Sequence, residues 1–258
     1  MAYSNAFHTS VDLLLRLHEL MKTGKGDTED ADELRDRSVR PWYEMSEEEQ
    51  ELVRGLSADL YSIGVESQGS PLEIESTYYQ RLLKDEHWSE ALDFLRANET
   101  QIPTHAVAHQ RGYCWSQLGF PQAAFPFFGE AARLAPDEPF ILSCYLQSSL
   151  EVNRVKDALS IARKIIEKSK GTTTELLIAL QVLGVAVLDD VATTPEYTKV
   201  LVDGLKGIRS RRWFNPWAGE LELAADTIDG VMMPWLDQHQ RNDSETLRLR
   251  ELRVPILN

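Results

Sequence analysis

The chain has 258 residues, enough for a sizeable core, and sets 41 acidic against 27 basic residues for a formal net charge of −14. That balance argues against nucleic acid and anionic membrane as main partners, since both demand clustered Lys and Arg. Two cysteines, Cys114 and Cys144, suggest no disulfide framework and read as small buried residues.

Near the amino terminus the apolar run VDLLLRLHELM is interrupted by Asp12, Arg16, His18 and Glu19, so no targeting core is read and a cytoplasmic protein is expected. Residues 1–63 form an acidic helical region. Ser46 with Glu49 predicts a capping box opening a helix through Tyr61, its first acids suiting the positive end of the dipole. Leu52, Leu56 and Leu60 stripe one face of that helix. The acids between Asp27 and Glu51 read as a solvated face, or as a docking surface for a basic partner. Residues 64–71, GVESQGSP, are rich in turn formers and read as a linker.

From residue 72 the chain repeats. Ala91, Ala124 and Ala158 sit 33 and 34 residues apart, and Pro103 and Pro136 are 33 apart. A period in the low thirties with small residues at fixed places marks stacked helical hairpins. The unit at about 72–104 carries Tyr78, Tyr79 and Leu82 on its first helix, a turn at Glu86-His87-Trp88, then Ala91 and Leu95. In the unit at 105–138, Ala108, Gly112 and Trp115 share one side of a first helix, and Ala124, Phe128 and Ala131 one side of a second. Gly112 and Ala124 are small where two helices must approach closely; Gly119 ends the first helix, Pro121 opens the second and Pro136 stops it. The unit at about 139–170 places Leu142, Leu146, Ala158 and Ala162, with Asn153 at its turn because asparagine tolerates the left-handed conformation. A degenerate hairpin at 172–210 follows: LLIALQVLGVAVL (Leu176–Leu188) is too short to span a bilayer, which needs about 20 residues, and reads as a helix buried on most sides. Pro195 opens its second helix, through about Ile208.

Gly112, Trp115, Ala124, Phe128, Ala131 and Pro136 meet the small, aromatic, Ala and Pro positions of the tetratricopeptide repeat, which this region resembles over a little more than half the chain. Arg111 departs from the pattern, standing where an apolar residue is usual. The resemblance implies an all-α, right-handed superhelical stack of helix–turn–helix hairpins between helical flanks, with a concave groove lined by first-helix residues. Carried across, the groove positions are Glu73, Ser76, Gln80 and Lys84, then His109, Tyr113, Ser116 and Gln117, then Phe140, Ser143, Gln147 and Glu151. Amides, hydroxyls and two aromatics dominate, which suits an extended or helical peptide. The positions that grip acidic chaperone tails in one subclass hold Ser76, Gln80, Gln110, Phe140 and Cys144, none of which can neutralise a carboxylate.

Residues 211–258 read as a cap and tail. The run Arg209–Trp217 interleaves basic and aromatic residues, as a seal on the end of the stack or a base-stacking platform. Gly219 to Asp229 and Val231 to Leu236 read as packing helices, before an apolar tail at Val254–Leu257.

Catalytic signatures are missing. Gly24-Lys25-Gly26-Asp27-Thr28 lacks the hydroxyl residue directly after Lys and the upstream glycine of a phosphate loop. His105 and His109 share a helical face, yet a third metal ligand is not evident. The expectation is a non-enzymatic adaptor, without cofactor or metal, that binds another protein in the groove. The alternative is a self-assembling subunit using the aromatic cap and apolar tail.

Overall fold

A computed structural model of the chain describes residues 3–64, 77–168, 174–189, 192, 194–210 and 227–241. Every regular element among them is helical, so the all-α class holds. The chain divides into two compact units, Met1–Ile141 and Leu142–Asn258.

The first unit begins with α1 (Asn5–Lys22), α2 (Glu29–Glu44) and α3 (Glu47–Tyr61). Ser46 and Glu49 form the expected capping box, and Leu56 and Leu60 are buried as their stripe requires. Glu49 does more than cap its own helix. Its carboxylate also accepts from the backbone N–H of Ser4 at 2.6 Å and from the Ser4 hydroxyl at 3.0 Å, pinning the start of α1 to the start of α3. The Ser4 N–H is the main reason the Glu49 pKa is lowered.

Next come α4 (Thr77–Lys84), α5 (Trp88–Ala97), a 3-10 turn at Glu99–Gln101, α6 (Thr104–Gln117), α7 (Pro121–Leu134) and α8 (Pro139–Glu151), whose first residues complete this unit. Helix α4 packs on α5, and α6 on both α5 and α7. The front helices rest mainly on the second helices of these hairpins, α1 on α7 and α3 on α5 and α7.

Three turns share one backbone solution. Glu86, Gly119 and Asn153 have φ of 59°, 87° and 58°. Each donates its N–H to the carbonyl three residues back, in Leu83, Ser116 and Leu150. The following residue donates to the carbonyl five back: His87 to Leu82 at 2.9 Å, Phe120 to Trp115 at 3.0 Å and Arg154 to Ser149 at 2.7 Å. These paired bonds satisfy helix-end carbonyls that would otherwise be orphaned. The left-handed residues sit 33 and 34 apart, so the backbone repeats the period of the alanines. Asn153 does what the sequence assigned to it. Glu86 takes the same conformation with no side-chain tolerance for it.

Small residues set the helix spacing. A Cβ on Gly112 would lie 2.9 Å from Phe128 Cδ1, so α6 approaches α7 as closely as a missing side chain allows. Ala91, Ala124, Ala131, Leu95 and Trp115 are all fully buried.

The second unit contains the rest of α8, then α9 (Val155–Lys168), α10 (Thr174–Leu188) and α11 (Pro195–Ser210). Helix α10 is buried on most sides, through Leu176, Leu177, Leu180 and Leu183, and packs on α9 and α11. Gly204 lets Leu180 and Ile166 in close, with Leu180 Cδ2 2.8 Å from where its Cβ would stand. The sequence suggested a break between Asp229 and Val231. The chain instead stays helical over 227–241, absorbing Gly230 in a π-helical turn, Ile228–Met232, which faces α10. Residues 65–71 of the linker, the Arg211–Trp217 stretch and the apolar tail lie outside the described residues. Among the described residues, no helix is long and apolar enough to cross a membrane.

Two substitutions test these packing arguments in equilibrium unfolding. Gly112→Leu is expected to lose about 1–3 kcal/mol by forcing a side chain against Phe128. Glu86→Gly is expected to gain on the order of 1 kcal/mol by removing the left-handed penalty on a non-glycine residue.

Candidate functional site

Helix α6 carries both the main surface feature of the first unit and its main internal one. Its outer face presents His109 and Tyr113 one turn apart, followed by Ser116 and Gln117. Tyr113 is 38 % exposed, and the Trp88 ring meets it edge-on at 5.7 Å between centroids. His109 lies between Phe128, at 5.7 Å, and Phe140, at 5.3 Å, and Phe140 is 58 % exposed. Burial, with a smaller push from His105, lowers the His109 pKa, so its ring is neutral near pH 7. The result is an aromatic ridge of Trp88, Tyr113, His109 and Phe140.

Of the sequence-derived groove residues, the structure therefore brings His109, Tyr113 and Phe140 together. Gln80 and Lys84 are exposed on α4. Ser143 is buried, while Gln147 and Glu151 are exposed on the part of α8 in the second unit. Glu73 and Ser76 lie outside the described residues. Gln110 faces inward, accepting the Tyr79 hydroxyl at 3.0 Å. Trp88 is absent from the sequence-derived groove because it opens α5, a second helix, whereas the resemblance places groove residues on first helices.

The inner side of α6 holds Arg111, buried although it is a charged residue. Its Nη2 lies 3.0 Å from Asp59 Oδ1 and 3.2 Å from Glu99 Oε2, and its Nη1 donates to the Ser62 hydroxyl at 2.8 Å. Arg96 reaches the same Asp59 oxygen at 3.2 Å and also pairs with Asp93. Asp59 is fully buried on α3. Burial raises its pKa to about 6, with the Glu99 charge adding a little, against the pull of Arg111 and Arg96. This cluster is structural: it joins the acidic front to α5 and α6. Asp59 stands three residues after Leu56 and one before Leu60, so an acid on that apolar stripe was the available signal for it.

Cys114 is buried and Cys144 half-buried; neither is in a disulfide, and burial raises their thiols to about 12 and about 11. Neither has the lowered pKa of a nucleophile. Among the described residues, no three His, Cys, Asp or Glu side chains converge as a metal site. The second unit has a cleft of about 570 Å³ between α9 and α11, where Arg163 is held by Glu167 at 2.9 Å and Glu196 at 2.7 Å. Comparison with protein-family models, curated proteins and solved structures gives no match to this chain.

Replacing Arg111 by Met should cost about 3–5 kcal/mol at pH 7, because it strands part of the buried Asp59 charge. The sign of the pH effect follows from the raised pKa. A folded carboxyl at about 6 takes up its proton before the unfolded one, at 3.8, so its contribution to stability is complete below the lower value and is lost as pH rises through the upper. Urea unfolding should therefore show a larger Arg111→Met penalty at pH 7.5 than at pH 5. An equal penalty at both would mean that Asp59 is not the group left unpaired.

Proposed function

We propose that this chain is a non-catalytic adaptor that binds a peptide or helical segment of another protein in a concave groove lined by α6. The observation that carries the reading is the aromatic ridge, in which Tyr113 and Phe140 stay exposed while leaning on Trp88 and His109. Aromatic side chains present large, stiff contact area at low entropic cost, and such residues dominate binding energy at interfaces. Tyr113 adds a hydroxyl that can fix register on a partner backbone.

The architecture we infer is a right-handed superhelical stack of tetratricopeptide-like hairpins. The three identical turns at Glu86, Gly119 and Asn153 and the close helix approach at Gly112 support it. In that arrangement Gln80 and Lys84, exposed on α4, extend the groove within the first unit. Few charges line it, so recognition works by hydrogen bonds and ring contacts, and the cytoplasm is the compartment we assign.

The test is affinity capture from native-host lysate, with mass spectrometry of bound proteins, comparing wild type with a folded Tyr113→Ala/Phe140→Ala variant. A partner held by wild type should be weakened by about 30-fold or more in the variant, since each central aromatic contributes upwards of about 1 kcal/mol. Equal capture by both would remove the ridge from the binding site. Recovery of the bait alone would turn the reading towards self-assembly.

A further inference from the structure

The first unit has a second surface feature, in the acidic front. Helices α1, α2 and α3 enclose an apolar groove of about 400 Å³, within the range of binding sites. Leu13, Leu14 and Leu17 of α1, Leu34 and Trp42 of α2 and Val53 of α3 line it, and Arg54 of α3 also belongs to its lining. The α1 residues follow a helical i, i+1, i+4 pattern from one continuous stripe that starts at Ser10. Ser10 lines the groove, is 5 % exposed, and its hydroxyl has no hydrogen-bond partner among the described residues.

The outer strip of α2, which reaches the groove through Val39 and Tyr43, indicates the kind of ligand. Glu29, Asp32, Asp36, Val39 and Tyr43 succeed one another at intervals of three and four along α2, so they form one outer strip. All are exposed, Val39 at 53 % and Tyr43 at 80 %. The strip is thus acidic over its first half and apolar over its second. Beyond its apolar end the chain turns through Met45 and Ser46 into Glu47 and Glu48, both exposed. Acids therefore lie at both ends of an apolar middle. Asp32 is answered by Arg35, and Arg54 by Glu51 and the Trp42 face, but Glu29, Asp36, Glu47 and Glu48 form no ion pair among the described residues.

We propose that this groove seats an amphipathic helix of a partner protein, its apolar face against Leu14, Leu17, Val39 and Tyr43 and its Lys or Arg residues at the two acidic ends. The strip spans 15 residues, about 21 Å from first to last at 1.5 Å per residue, which matches a partner helix of about four turns. Apolar contact supplies affinity, and the acids select the sign of charge and speed encounter. The surface is separate from the α6 ridge, so it neither requires nor weakens the adaptor reading there.

The test uses the full chain and three fluorescein-labelled peptides of equal length: an amphipathic Lys/Leu helix, a scramble of the same composition, and a Glu/Leu helix with the same apolar face. Fluorescence anisotropy should show binding of the first and at least about tenfold weaker binding of the other two. Val39→Asp/Tyr43→Ala, at exposed positions, should weaken the Lys/Leu peptide by about tenfold or more while circular dichroism stays unchanged. The added aspartate makes the surface more acidic, so mere ionic adsorption would instead hold or tighten binding, and that result would overturn the proposal. Equal binding of the scramble would overturn it too. So would an apolar dye that fills the groove and is not displaced by the Lys/Leu peptide, since the groove would then belong to a small apolar ligand. Tyr113→Ala/Phe140→Ala should leave peptide binding unchanged, and its loss there would move the site to the ridge.

Discussion

Asp59 is buried on α3, and a carboxylate in that place is tolerated because two guanidiniums reach it from other helices, Arg96 on α5 and Arg111 on α6. Desolvating a charge costs several kcal/mol even after relaxation, so the arrangement holds only if its geometry is kept. That condition ties three helices together at one point. It fixes how the front helices dock, and Gly55 shows how tightly: a Cβ there would overlap the Arg96 guanidinium. The front therefore rests on α5 and α7, and Tyr113 of α6 stays exposed.

Regularity in the hairpins comes from a different source, the local chemistry of helix ends and close approaches. A helix that stops must satisfy its last carbonyls, and the left-handed residue followed by a five-back bond does this in three turns. Glycine, asparagine and glutamate all occupy that position, so the turn does not depend on one residue type. Gly112 plays the complementary part between α6 and α7, where contact with Phe128 leaves no room for a side chain.

Two surfaces emerge from this framework, and they differ in chemistry. The α6 ridge is aromatic and nearly uncharged, suited to a segment recognised by shape and hydrogen bonds. The front groove is apolar in its middle and acidic at its ends, suited to a basic amphipathic helix. The formal charge of −14 is consistent with both, since it favours solubility while biasing encounter towards basic partners.

By itself the sequence determined the helical class, the repeat period, the Ser46–Glu49 capping box, the turn at Asn153 and the deep burial of α10. These depend on neighbours within one or two helical turns, or on spacing that recurs along the chain, and both are written in residue order. It also nominated His109, Tyr113 and Phe140, but through their positions in a repeat and not through any contact between them. Only the tertiary structure decided that these rings meet, that Trp88 joins them, and that Arg111 is held by an acid 52 residues earlier in the chain. It alone showed that Leu14, Val39 and Tyr43 share one groove. Such pairings join residues far apart in sequence, where periodicity carries no information about which faces meet. Their cost or gain is settled by burial, and burial exists only once the helices have packed.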